Sequence, residues 1–353
     1  MLTPVYDIEK SYQHNYEQGP FFSEEFPQLP TRFYKTKFLD HNLYSLLGIA
    51  AGPLLNSKWI ELYGKLGFDI LTYKTVRSQA TPAHPAPNCV YLQAPFQLTT
   101  KDIRSDISEK FDIPTYTTDI TITNSFGMPS PAPESWMPDI DTANKVISNG
   151  QVVVVSITGT PNLEQRPLVE DYAYTAAMAQ EAGARIIEAN YSCPNVASGE
   201  GAIYCDPEFS AEISKHIRHS LRPDMPLMIK LGYLPYAQLK EVVKANLPYV
   251  NAFAGINTIP MNIKDAQGQP RLPGPNRLKS GVCGNAIRTL SEEFTSNIFK
   301  IREELGADFE ICGVGGCMLP DDILHRQSIG ADIVMVATAA MWNPFLAAQL
   351  HKR

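Results

Sequence analysis

Two lysines close runs of apolar residues, DILTYK (69–74) and PLMIKL (226–231). An unpaired ammonium there is costly, so Lys74 and Lys230 point to a charged partner rather than to solvent. A third run, RIIEAN (185–190), leads into EANYSCPN (188–195), which sets Cys193 between Asn190 and Asn195. A lone cysteine is by default a small buried hydrophobe, but between two amides at the end of a run a working thiol is the better reading. A thiol of pKa ~8.5 acts as a base near neutrality only if nearby cations keep it partly ionised. Asn257-Thr258 closes VNAFAGIN (250–257), and Gly52 and Gly315-Gly316 follow two further runs. Asn257 and Thr258 could equally cap a turn. Lysines, amides, one thiol and glycines suit an anionic or carbonyl-rich ligand. A metal would need clustered histidine or carboxylate, and none of the 7 histidines ends such a run.

The elements that must position these residues are eight Val/Ile-rich runs: 47–52, 69–74, 152–157, 185–190, 226–231, 250–257, 309–314 and 332–337. Their unbroken apolarity is that of parallel strands covered on both faces. Helical patterns separate them at 162–184, 207–221, 235–247, 289–307 and 321–331, several ending at glycine. Eight strands separated by helices predict an α/β fold, the (β/α)8 TIM barrel, whose working residues lie at the C-terminal ends of the strands. Residues 1–45 are an N-terminal extension with a predicted hairpin (31–45) capping the lower end, and 46–353 form the barrel. After the second strand a long Pro-rich insertion occupies about 76–150, and lengths of that kind are usually functional.

Composition narrows the functions. A net charge of −7 argues against a nucleic-acid partner. Six cysteines without a CxxC pair argue against zinc ribbons and iron–sulfur runs, and their sparseness fits a reducing, cytoplasmic setting. Ile333–Leu350 is uncharged over 18 residues, but Asn343-Pro344 interrupts it, so no membrane span is predicted.

The segment around Cys193 resembles the Asn-x-Ser-Cys-Pro-Asn signature of cytosolic-type dihydroorotate dehydrogenases, in which the cysteine is the base. Seven further motifs agree in order: IAAGP (49–53), YKT (73–75), NSFGMP (124–129), MIKL (228–231), INT (256–258), SGVCGNAI (280–287) and GVGG (313–316). The resemblance implies an FMN-dependent oxidation of dihydroorotate to orotate in pyrimidine biosynthesis, by a homodimer. Cys193, assisted by Ser192 and Lys74, would remove the C5 proton while C6 gives hydride to flavin N5. It also implies that Ala51, Gly52, Lys74, Thr75, Asn190, Lys230 and Ile256 line the flavin. Gly284, Gly315, Gly316, Ala337 and Thr338 would cradle its phosphate. Lys74, Asn124, Phe126, Gly127, Met128, Asn190, Asn195, Asn257 and Thr258 would hold the substrate. The sequence departs from the family at Ser130, Tyr191 and Cys283, where Asn, Leu and Ser or Ile are usual. Another dihydropyrimidine as substrate, or an inactive flavin-binding scaffold, are the rival readings. Fumarate, a quinone and a partner subunit all stay open as electron acceptor.

Overall fold

The computed structural model describes residues 4–34, 36–110, 112–192, 203–272, 274 and 277–353. All eight expected strands form, and they close into one parallel barrel. In chain order they are Leu47–Ile49, Ile70–Val76, Val152–Ile157, Ile186–Asn190, Leu227–Leu231, Ala252–Gly255, Glu310–Val314 and Ile333–Val336. Strand residues alternate between the barrel interior and the surrounding helices. Val152, Val154, Ile186, Met228, Ala252, Ala254 and Cys312 fill the inside, while Val153, Val155, Ile187, Ile229 and Phe253 pack outward. Both faces are therefore apolar, which is why the runs showed no polar alternation.

Helices Ser57–Lys65, Pro133–Val146, Leu168–Glu181, Pro207–Ser220, Tyr236–Asn246, Arg288–Leu305 and Pro320–Ser328 lie between successive strands. Local chemistry sets their ends. Asn56 caps the first by accepting from the Lys58 amide, and Asp206 caps the fourth, whose first residue is Pro207. Gly306 ends the sixth in the left-handed conformation, φ 55°. Among the described residues no helix is long and apolar enough to cross a membrane.

Two features frame the barrel. The hairpin Thr36–Phe38/His41–Leu43 forms as expected and drives Phe38 and Leu43 into the interior cluster beside Ile70, Val152 and Ile186, at the strand beginnings. Residues 4–22 do not join it. The Val5 amide donates to the Met341 carbonyl (2.8 Å), Phe21 donates back to Val5 (3.0 Å), and helix Tyr12–Gln18 docks through Asn56, which reaches the Tyr16 carbonyl at 2.8 Å. Over the other end sits a five-stranded sheet in the order Leu92–Gln93, Asp106–Glu109, Ile259–Lys264, Lys279–Gly284, Thr121–Asn124. It is built from two excursions, one after the second strand and one after the sixth. The helix Pro133–Val146 packs as the barrel helix of the second unit, so the first excursion ends before it.

Candidate active site

Two adjoining cavities open at the C-terminal ends of the strands and share Ala51, Gly52, Asn124, Asn257, Cys283, Ala337 and Thr338. The first also takes in Lys74, Thr75, Phe126, Met128 and Asn190. The second takes in Lys230, Ile256, Thr258, Gly284, Gly315 and Gly316. The fold thus gathers nearly every residue expected from the sequence. Gly127 lies in the turn between Phe126 and Met128, and a Cβ there would strike the His84 ring, 2.5 Å away. Ser192 is buried, with its hydroxyl donating to the Lys230 carbonyl at 3.3 Å, so it braces the strand end. Cys193 and Asn195 lie outside the described residues.

Amides organise the shared floor. Asn257 Nδ2 donates to the Ser192 carbonyl (2.5 Å) and to Asn190 Oδ1 (3.4 Å), and Asn190 Oδ1 also accepts from the Ser192 amide (3.2 Å). Tyr172 Oη donates to the Asn190 carbonyl (2.9 Å) and lies 3.0 Å from Thr158 Oγ1. Thr75 and Ser156 hydroxyls meet at 3.0 Å. Such a network fixes side-chain orientation before any ligand arrives.

The second cavity ends in a glycine cradle. Gly284, Gly315 and Gly316 have φ of 99°, 113° and 75°. A Cβ on Gly284 would come within 2.3 Å of the Ile120 carbonyl oxygen, and one on Gly316 within 2.3 Å of Arg288 Cα. Only glycine fits here. Beneath the cradle the fully buried Arg326 donates to the Gly315 carbonyl (3.1 Å) and to Ser291 Oγ (2.5 Å). Holding that carbonyl back leaves the amide side of the turn to the cavity, with a cation behind it, which is the arrangement an anionic phosphate requires. The cradle and the buried Lys230 beside it fit the FMN that the resemblance implies. Among the described residues there is no cluster of histidine, cysteine and carboxylate able to hold a metal.

The five described cysteines are free. Burial pushes all of their thiols up: Cys283 to about 11, Cys89 and Cys312 well above the usual range, and Cys205 and Cys317 in the same direction. A protonated thiol is a poor base, so none of these five is suited to that role. Cys89 and Cys283 line the first cavity as apolar wall.

Several lining residues were not expected. Tyr6 and Tyr12, from the N-terminal extension, reach the first cavity and pack against Phe126 at 5.8 and 6.0 Å between ring centroids. Their buried hydroxyls have no hydrogen-bond partner. No local pattern announces them, because the contact joins positions far apart in the chain. Arg77 and Arg277, buried behind Asn124–Ser130, were also missed. An arginine directly after the apolar strand ILTYKTV was the available signal for the first. Ser130, where the sequence departs from the family, does not line either cavity: its hydroxyl accepts from the Arg77 amide (3.0 Å) and donates to the Pro131 carbonyl (2.9 Å).

Residues 112–353 match the family model for dihydroorotate dehydrogenase. The chain is 39% identical to dihydroorotate dehydrogenase of Dictyostelium discoideum, across 99% of this chain and 96% of that one. It is 28% identical to the catalytic subunit of dihydroorotate dehydrogenase B (NAD(+)) of Staphylococcus carnosus, over 51% of this chain and 56% of that one. With dihydroorotate dehydrogenase A (fumarate) of Limosilactobacillus reuteri it shares 27%, over 54% and 58%. The crystal structure of DHODH from Eimeria tenella in complex with ferulenol superposes with a TM-score of 0.68 at 16% identity, covering 89% of this chain and 81% of that one. At that identity the likeness is one of fold.

Proposed function

The chain belongs to the dihydroorotate dehydrogenase family, and from that premise we propose that it oxidises dihydroorotate to orotate with FMN as cofactor and Cys193 as base. The observation that carries the reading is the continuity of the two cavities: a glycine cradle over a buried arginine at one end, and Lys74, Asn124, Asn190 and Asn257 at the other. Lys230 faces the space between them, where negative charge would develop on reduction. Bound FMN supplies the hydride acceptor. The protein's part is to hold the ring of the substrate by its amides with Asn124, Asn190 and Asn257, to meet its carboxylate with Lys74 and Asn195, and to take the C5 proton on Cys193. Ser130 lines neither cavity, so its departure from the family's usual asparagine does not count against this substrate.

Anaerobic mixing of the purified protein with dihydroorotate tests the reading. The flavin should bleach, and acid release should yield FMN. Bleaching by dihydrouracil at an equal rate, or release of FAD, would overturn it. A homodimer in the cytoplasm is part of the same proposal, and sedimentation of the holoprotein at twice the chain mass checks the first half.

A further inference from the structure

The turn Ser125–Ser130 carries backbone that a free chain seldom adopts: φ is 78° at Gly127 and 50° at Met128. A left-handed non-glycine residue is strained and persists only where its surroundings over-determine it. Here the surroundings do. The Ser125 carbonyl accepts from Asn88 Nδ2 (2.9 Å) and Arg277 Nη2 (3.1 Å), the Phe126 carbonyl from the His84 amide (2.9 Å), and the Met128 carbonyl from Arg77 Nε (3.2 Å). Ser130 and Thr81 exchange both backbone bonds, at 2.8 and 3.0 Å. Each of these carbonyls is thus held by a protein donor. Among the described residues the Phe126, Gly127 and Met128 amides donate to no protein acceptor.

The two arginines also tie this turn to its neighbours. Arg77 reaches the Gly159 carbonyl (2.7 Å) beyond the third barrel strand. Arg277, carried by the second excursion, holds the Pro85 and Pro87 carbonyls (2.8 Å each) and Ser125 Oγ (3.1 Å). Both are almost fully buried, and Arg77 meets carbonyls rather than any acidic group among the described residues. Two guanidinium charges behind a row of amides, in a poorly screened interior, make the cavity side of the turn electropositive.

We propose that Arg77 and Arg277 are positioning residues that lock the 125–130 turn and, through it, set selectivity for a substrate bearing a carboxylate. The proposal rests on the dihydroorotate reading. Arg77 fixes the far limb of the turn and Arg277 the near limb, so that both must hold for the amides to converge on one anion. Neither touches the substrate.

The test uses holoenzyme of Arg77→Lys, Arg277→Lys and Arg277→Met, with dihydroorotate and its methyl ester as paired substrates. Lysine keeps a charge but not the planar fork. Each variant should retain FMN at the wild-type ratio. Its kcat/KM for dihydroorotate should fall roughly 10–100-fold, mostly through KM, while that for the ester changes less than about 3-fold. Amide exchange in a peptide covering 124–130 should speed up in every variant. An unchanged acid-to-ester ratio, or equal losses on both substrates, would overturn the proposal. Should Arg277→Met fail to fold, the two lysine variants decide by the same ratio. If wild-type flavin ignores dihydroorotate, the functional reading fails, yet the exchange measurement still judges the clamp: unaltered exchange in 124–130 would sink it independently.

Discussion

Asp69 and Glu188 are both completely buried carboxylates on barrel strands or at their edge, and they live differently. Asp69, at the lower end, receives Arg32 (2.7 Å), Ser45 Oγ (2.6 Å) and, more loosely, Gln151 (3.5 Å). Its neighbourhood is closed: Gln151 also donates to the Gly64 and Phe68 carbonyls, and Arg32 to that of Gly67. Glu188, in the interior layer opposite Met228 and just below Asn190 and Lys230, has no partner for either oxygen among the described residues. The unpartnered hydroxyls of Tyr6, Tyr12 and Thr258 belong to the same upper half. Native folds satisfy buried polar groups where stability alone is at stake. Asp69 obeys that rule, although Asn144 Oδ1 and Arg218 Nε near the strand beginnings do not, and the upper end breaks it with whole groups around the space left for ligands. Function should therefore be lost at the top with stability kept, and the reverse at the bottom.

The largest effect expected from this contrast is at Cys193. Cys193→Ala should slow flavin reduction by dihydroorotate on the order of 10²–10⁴-fold with FMN retained. Stopped-flow absorbance measures it, and an undiminished rate would assign the proton to another group. Next comes Gly316→Ala, whose new Cβ would meet the Arg288 backbone at a φ of 75°. FMN affinity should fall at least about tenfold by fluorescence titration, while the circular dichroism of the barrel is kept. Unaltered affinity would remove the cradle from the cofactor site.

At the bottom the sign of the outcome reverses. Asp69→Ala strands Arg32, Ser45 and Gln151 and should cost about 2–4 kcal/mol in denaturant unfolding with kcat unchanged. Glu188→Leu removes two unsatisfied oxygens and should raise the melting temperature of the FMN-free protein, by the equivalent of about 1–2 kcal/mol. Destabilisation by both substitutions would end the contrast.

The smallest effect is a pH dependence. Burial raises the Asp69 carboxyl to about 6 against the opposing pull of Arg32. A raised folded value means that the fold holds a proton the unfolded chain has already released. The Asp69 contribution to stability is therefore full below its unfolded value near ~3.9, declines as pH rises, and levels off once pH passes about 6. Melting temperatures from pH 4 to 7 should show the stability of wild type relative to Asp69→Asn shrinking across that window. A difference that grows instead would place Arg32 in command.

Much of this was legible in the residues. Eight strands could be found because each is buried on both faces, so that short runs such as VVVVSI carry the whole signal. Lys74, Lys230 and Asn190 could be found because polar groups ending such runs have nowhere cheap to go. The five-stranded sheet could not, because its strands come from two excursions more than a hundred residues apart, as in Asn262 pairing with Asp106. Its local traces were the run ITIT leading into a Gly/Pro loop, which reads as a short strand and forms Thr121–Asn124, and the alternation of IPMNIK. Ser130 misled in the opposite direction: its type marked it as a changed ligand contact, and only the fold turns its hydroxyl toward Arg77 and Pro131.

The docking of residues 4–22 has a consequence in time. Val5 bonds to Met341, and Tyr63 Oη to the Ala340 carbonyl, so the wall that carries Tyr6 and Tyr12 leans on residues made much later than itself. At roughly 5–20 residues per second, an interval of about 20–70 s separates the synthesis of Val5 from that of Met341. Throughout it the cavity lacks one side. The wall that carries Tyr6 and Tyr12 is therefore completed only after the eighth strand, Ile333–Val336, has been made and the barrel can close.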